Sequence, residues 1–144
     1  MTSTDRYATV VAEGDAELDQ RLSDELDRHN TAATPGVEPA RELTVRILDD
    51  AGALAAGASG WTWGVAAGIA MTWVRDDTRG AGLGARLLAA FEDEARARRC
   101  THVFVTSFTF QAPAFYERHG YREILRWESV PTAGADDVHL RKEL

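Results

Sequence analysis

Apolar residues along this chain recur at two spacings. Leu18, Leu22 and Leu26 return every fourth position while Asp19, Asp24, Glu25 and Asp27 fall elsewhere around the helix, which predicts an amphipathic surface helix with an acidic outer face, ending near Asn30. Ahead of it, Tyr7 to Ala12 is a short β-like run closed by Glu13-Gly14-Asp15, and behind it the Thr31 to Pro39 segment, with Pro35-Gly36, reads as a loop. Leu43, Val45 and Ile47 alternate with Thr44, Arg46 and Leu48 up to Asp49-Asp50, the signature of a strand. Leu54 to Val74 predicts a buried hairpin turning near Gly64, with Val65, Ala67, Ile69, Met71 and Trp73 on one side of its second strand. Leu83, Leu87, Leu88, Phe91 and Ala95 form the buried stripe of a second helix. His102 to Phe108 is a further strand, Gln111 to His119 a short helix closed by Gly120, and Tyr121 to Ser129 and Val138 to Glu143 two closing strands.

Consecutive strands followed by a strand, helix, strand crossover imply a mixed sheet with helices on its faces. At 144 residues one domain, 1–144, is expected, with enough buried surface to fold without metal or disulfide. Cys100 is the single cysteine and His29, His102, His119 and His139 show no ligand spacing, which excludes a cysteine-based metal cluster and points to a reducing compartment. The first fifteen residues lack a basic start and an apolar run, so no secretory leader is expected and the cytoplasm is the expected location. Ala51 to Val74 runs 24 residues without a charge, long enough to cross a bilayer, but its five glycines, eight alanines and period-two alternation argue for strands instead. A net charge of −7 disfavours nucleic acid as a partner and suits a cationic small molecule.

The glycine segment carries the chemistry. A strand that ends in Gly80-Ala81-Gly82-Leu83-Gly84 and opens a helix aims backbone N–H groups and the positive end of the helix dipole at one point, an anion site. Ala85-Arg86 follow where a P-loop needs Lys and a hydroxyl, and the spacing is not Gly-x-Gly-x-x-Gly. On the glycines alone, a tight turn with no ligand is the other reading.

Arg79-Gly80-Ala81-Gly82-Leu83-Gly84 resembles the Arg/Gln-x-x-Gly-x-Gly/Ala motif of the GCN5-related N-acetyltransferase (GNAT) superfamily, at the correct strand-to-helix junction. About thirty residues on, Phe110-Gln111-Ala112-Pro113-Ala114-Phe115-Tyr116-Glu117-Arg118-His119-Gly120-Tyr121 resembles that family's later segment, a helix carrying Phe-Tyr that ends in Gly-Phe or Gly-Tyr. The resemblance implies an α/β fold with a GNAT-like mixed, mostly antiparallel central sheet of six to seven strands and three to four flanking helices. It implies an acetyl-CoA-dependent N-acetyltransferase acting on a primary amine of a small molecule or peptide by direct attack on the thioester, with no metal. The alternative is a non-catalytic CoA-binding regulatory module. By the same resemblance Arg79, Gly80, Ala81, Gly82, Leu83, Gly84 and Ala85 bind the pyrophosphate of acetyl-CoA, the pantetheine arm lies along Trp73 and Val74, the latter acting through its backbone, and Tyr116 is the acid that protonates the thiolate. Gln111 stands where many relatives carry Asn and either contacts the cofactor or caps the helix. Homodimers are common in the family, and the strands Tyr121 to Ser129 and Val138 to Leu144 are the expected edges for pairing.

An alkylamine acceptor of pKa about 10.4 needs to shed a proton first, at about 4.6 kcal/mol at pH 7. Glu17, Asp24, Glu25, Asp76 and His29 are of the right type to help, but nothing in the sequence places one of them, and none is assigned. Trp61, Trp63 and Trp73 are read chiefly as core packing, with cation binding as the other use.

Overall fold

The computed structural model describes residues 6–144. The chain divides into two compact units, Met1–Gly36 and Val37–Leu144. In the first, α1 spans Ala16–Ala33. The Asp15 carboxylate accepts the Leu18 N–H at 2.9 Å and caps its start, and the Thr34 hydroxyl donates to the Asn30 carbonyl at its end. Glu25 pairs with Arg21 and Arg28 along the exposed surface. One expectation fails here. Residues 7–12 form no strand, and Tyr7, Val10 and Val11 are exposed.

The second unit is a six-stranded sheet with two helices. Its strands are β1 (Arg41–Leu48), β2 (Leu54–Trp63), β3 (Ala66–Val74), β4 (His102–Phe108), β5 (Arg122–Trp127) and β6 (Asp137–Glu143), in the order β1-β2-β3-β4-β6-β5. Only β3 and β4 run parallel; every other neighbour pair is antiparallel. The uncharged stretch is thus the β2–β3 hairpin, and no helix among the described residues is long and apolar enough to cross a membrane. β6 is internal rather than an edge, because the crossover from β4 through the last helix places β5 outside it.

Helices α2 (Leu83–Ala97) and α3 (Pro113–Arg118) cover one face. Leu87, Leu88, Phe91 and Ala95 of α2 pack on Leu43, Ile47, Ala56, Ala58, Ala67, Val103 and Val138, all buried. Two polar anchors fix α2. The Arg98 guanidinium donates to the Glu42 carbonyl and the Thr62 hydroxyl, and buried Glu92 accepts from the Lys142 ammonium of β6.

The alternation expected in β3 breaks in its middle. Gly60 pairs with Ile69 but Ser59 with Met71, so Ala70 is an extra residue, a β-bulge. One inserted residue swaps the faces beyond it. Ala67 and Ile69 face the helices as expected, but Met71 and Trp73 turn to the opposite face, 67% and 52% exposed, and Thr72 takes their place on the helix side. Trp61 and Trp63 share that opposite face and are also partly exposed, Trp61 lying over Gly68. None of the three tryptophans is core, because the small residues of β2 and β3 fill the narrow space under α2.

Asp49, in the β1–β2 turn, holds Arg75 at the exit of β3 at 2.9 Å and accepts the Ala51 and Ala53 N–H groups. Arg75 and these amides hold its carboxyl below the ordinary carboxylate value. A depressed folded pKa stabilises above the unfolded value, about 3.9, and that contribution is lost as pH falls through the folded one. Asp49→Asn is therefore expected to lower the melting temperature at pH 7, with the gap to the parent closing below about pH 4; a gap constant with pH would refute the coupling.

Candidate functional site

β3 and β4 pair only from Ala66–His102 to Ile69–Val105, after which β3 continues to Val74 and β4 to Phe108 without further pairing. The bulge at Ala70 coincides with the last pair and bends β3 away, leaving a slot open between the carboxyl ends of two parallel strands. The Arg75 N–H is bound to the Ala55 carbonyl on the far side of β3, so by strand alternation the amides of Val74 and Thr72 face the slot.

From Val74 the chain makes one 3₁₀ turn, Asp76–Thr78, and reaches α2 through the glycines. Gly80 and Gly82 have φ of 85° and 77°, a conformation L side chains rarely adopt, and both border open space. Gly82 is the N-cap of α2 and offers no side chain, so the N–H groups of the first turn, from Leu83 to Ala85, have no side-chain cap. Gly84 serves a different purpose. A Cβ there would stand 3.2 Å from the Phe115 ring, so its lack of a side chain lets α2 and α3 approach. The first turn of α2 thus turns uncapped N–H groups, at the positive end of the helix dipole, toward open space. Arg79 at its rim forms an exposed pair with Asp76 at 3.0 Å.

On the other wall, α3 follows β4 through a turn closed twice: the Phe108 N–H donates to the Gln111 Oε1, and the Ala112 N–H to the Ser107 Oγ. Gln111 therefore closes the turn ahead of α3, whose N-cap is Ala112. Tyr116 is 4% exposed, with its ring edge-on to Phe115 and Tyr121. Its hydroxyl lies 2.9 Å from the Thr72 Oγ1. Burial pushes the phenol pKa above its ordinary value, partly offset by the Thr72 hydrogen bond, so the phenol is protonated throughout the neutral range. Sequence reasoning does not single out Thr72: a threonine inside a strand reads as an ordinary β-former, and only the bulge turns it toward Tyr116.

The structure thus brings Val74, the 79–85 segment and Tyr116 to the slot and its mouth. The Trp73 side chain points to the other face. Glu17, Asp24, Glu25 and His29 lie on α1, in the other unit.

The model of the acetyltransferase (GNAT) family matches residues 9–121. This chain belongs to the GNAT family. Among GNAT relatives, an acetyltransferase of Agrobacterium fabrum is 31% identical over 115 residues, 76% of this chain and 80% of that protein. Blasticidin-S acetyltransferase of Streptomyces morookaense is 44% identical over 97 residues, 62% and 68% of the two chains. The crystal structure of an acetyltransferase from Bacillus cereus superposes with a TM-score of 0.78 at 26% identity, covering 94% of this chain and 98% of that one. The six-stranded, mostly antiparallel open sheet with, among the described residues, three α-helices is the GNAT-like fold.

Proposed function

We propose that this GNAT acetyltransferase moves the acetyl group of acetyl-CoA onto an amine of a small cationic molecule by direct attack on the thioester. The single observation that carries the reading is the buried Tyr116 hydroxyl standing at a slot whose mouth is an uncapped helix start. The residues fit the donor: the amides of Gly80 and of Gly82 to Ala85 suit its diphosphate, that of Ala81 being bound to the Thr78 carbonyl, and the free edge of β3 from Thr72 to Val74 suits the amide-bearing arm as an added strand. One inward amide, that of Thr72 or Val74, suits the negative charge that grows on the carbonyl oxygen as the amine lone pair attacks, the two standing about 6.7 Å apart along the strand. When the C–S bond breaks, its electron pair goes to sulfur and the Tyr116 proton follows, while the acceptor nitrogen gives its extra proton to solvent. In this reading Arg79 is a further contact to the acetyl donor, while Gln111 serves through the turn it closes. Cytoplasmic residence, and homodimers pairing along the exposed edge strand β5, belong to the same reading.

A primary amine on an antibiotic-like molecule is favoured as acceptor by the relative named for blasticidin S and by the net charge of −7. Thiol release from acetyl-CoA, measured against blasticidin S, aminoglycosides, polyamines, amino acids and peptide N-termini, tests this. Turnover with one basic small molecule well above the peptides is expected, with mass spectrometry placing the acetyl on nitrogen. Calorimetric binding of CoA with no turnover on any amine would support a non-catalytic CoA-binding module instead, and an O-acetylated product would overturn the N-acetyl assignment.

A further inference from the structure

We propose that Thr72 is a positioning residue for the acid step: its hydroxyl donates to the Tyr116 oxygen, directs the phenol proton into the slot and steadies the phenolate formed when that proton leaves. The inference rests on the reading of Tyr116 as the acid.

Three observations carry it. The Oγ1 to phenol oxygen distance is 2.9 Å, between residues 44 apart in sequence. Thr72 is the one side chain among the described residues that hydrogen-bonds this hydroxyl, while Phe115 and Tyr121 hold the ring only by edge contacts. And Thr72 reaches this side of the sheet only because of the extra residue at Ala70, the same bulge that opens the slot. Without the bulge, position 72 would face away from α3.

A phenol bound to one partner has two ways to use its proton. With Thr72 as acceptor, the Tyr116 proton would be spent on the wall of the slot. With Thr72 as donor, the proton is free to go to the thiolate sulfur as the C–S bond breaks, and the hydrogen bond strengthens as charge appears on the phenol oxygen. An interaction stronger after proton transfer than before lowers the barrier rather than only fixing the ring. The phenolate then regains a proton from solvent, which balances the one shed by the acceptor nitrogen. The offset that Thr72 makes to the burial-raised Tyr116 pKa runs in the same direction.

The test is a double-mutant cycle on the full chain, with the acceptor that the amine panel yields. Thr72→Val keeps the side-chain shape and removes the donor. It is expected to lower kcat about tenfold with KM for acetyl-CoA changed less than about twofold. Thr72→Ser, which keeps the hydroxyl, should recover most of that loss. In a Tyr116→Phe background, Thr72→Val should cost nothing further, since a residue that works through another is silent once the other is gone. Unchanged kcat in Thr72→Val, failure of serine to rescue, or a full additional loss in the double variant would each overturn the role of Thr72 while leaving Tyr116 as acid. Full turnover by Tyr116→Phe alone would instead remove the acid reading beneath it. Matching thermal melts for the variants separate all these outcomes from misfolding.

Discussion

Tyr116→Phe is expected to reduce kcat by a factor of about 10² or more while leaving acetyl-CoA binding within a few-fold of the parent. The substitution removes one oxygen from a side chain held edge-on by Phe115 and Tyr121, so the ring keeps its packing. On the proposed acid role, what is lost is the proton for the departing thiolate. The burial that raises the phenol pKa also keeps water from taking its place easily. A thiolate without a positioned donor must leave charged or wait for solvent, and a loss of two decades corresponds to about 2.7 kcal/mol at the transition state. On the proposed reading the donor affinity should not follow, because the anion is held by backbone amides of the 80–85 segment and not by the phenol oxygen. Steady-state kinetics beside calorimetry with CoA make the comparison; equal losses in turnover and binding would show a packing role instead.

The second large effect is structural. Gly60→Ala is expected to destabilise the protein by about 3 kcal/mol or more, toward the upper end of the overpacking range. A Cβ at this position would overlap the Gly68 carbonyl oxygen and stand 3.0 Å from the buried Phe91 ring. The first obstacle is backbone of the neighbouring strand and cannot rotate away, so β2 and β3 must separate where the bulge begins. Against a typical total of about 5–15 kcal/mol, such a loss shows as a clear drop in the urea midpoint and in soluble yield. Gly57→Ala on the same strand is the control, since its added Cβ meets only ordinary contacts at 3.5 Å and beyond. Similar losses at both positions would mean that strand propensity, not the close approach, sets the cost.

Most of the second unit is legible in the sequence. The α2 stripe from Leu83 to Ala95 and the β-branched, aromatic run from His102 to Phe108 show periods of 3.6 and 2 that their elements adopt. Gly80 and Gly82 mark positive φ, and Gly120 at φ 91° follows α3 as expected. The element order, together with those glycines and the Phe115-Tyr116 segment, is enough to indicate the family.

The misses share one cause, which is that period and propensity describe a segment before it has neighbours. Tyr7 to Ala12 has the composition of a strand, yet among the described residues it forms none. In β3 the alternation from Val65 to Trp73 is regular in sequence, but the register against β2 inserts Ala70 and reverses the faces of Met71, Thr72 and Trp73. Local sequence by itself determined the helices, the strands and the glycine turn, because φ preferences and side-chain period act within a few residues. Tertiary pairing alone decided the bulge, the opening of β3 from β4 and the meeting of Thr72 with Tyr116, because each depends on hydrogen bonds between segments whose spacing no local pattern encodes.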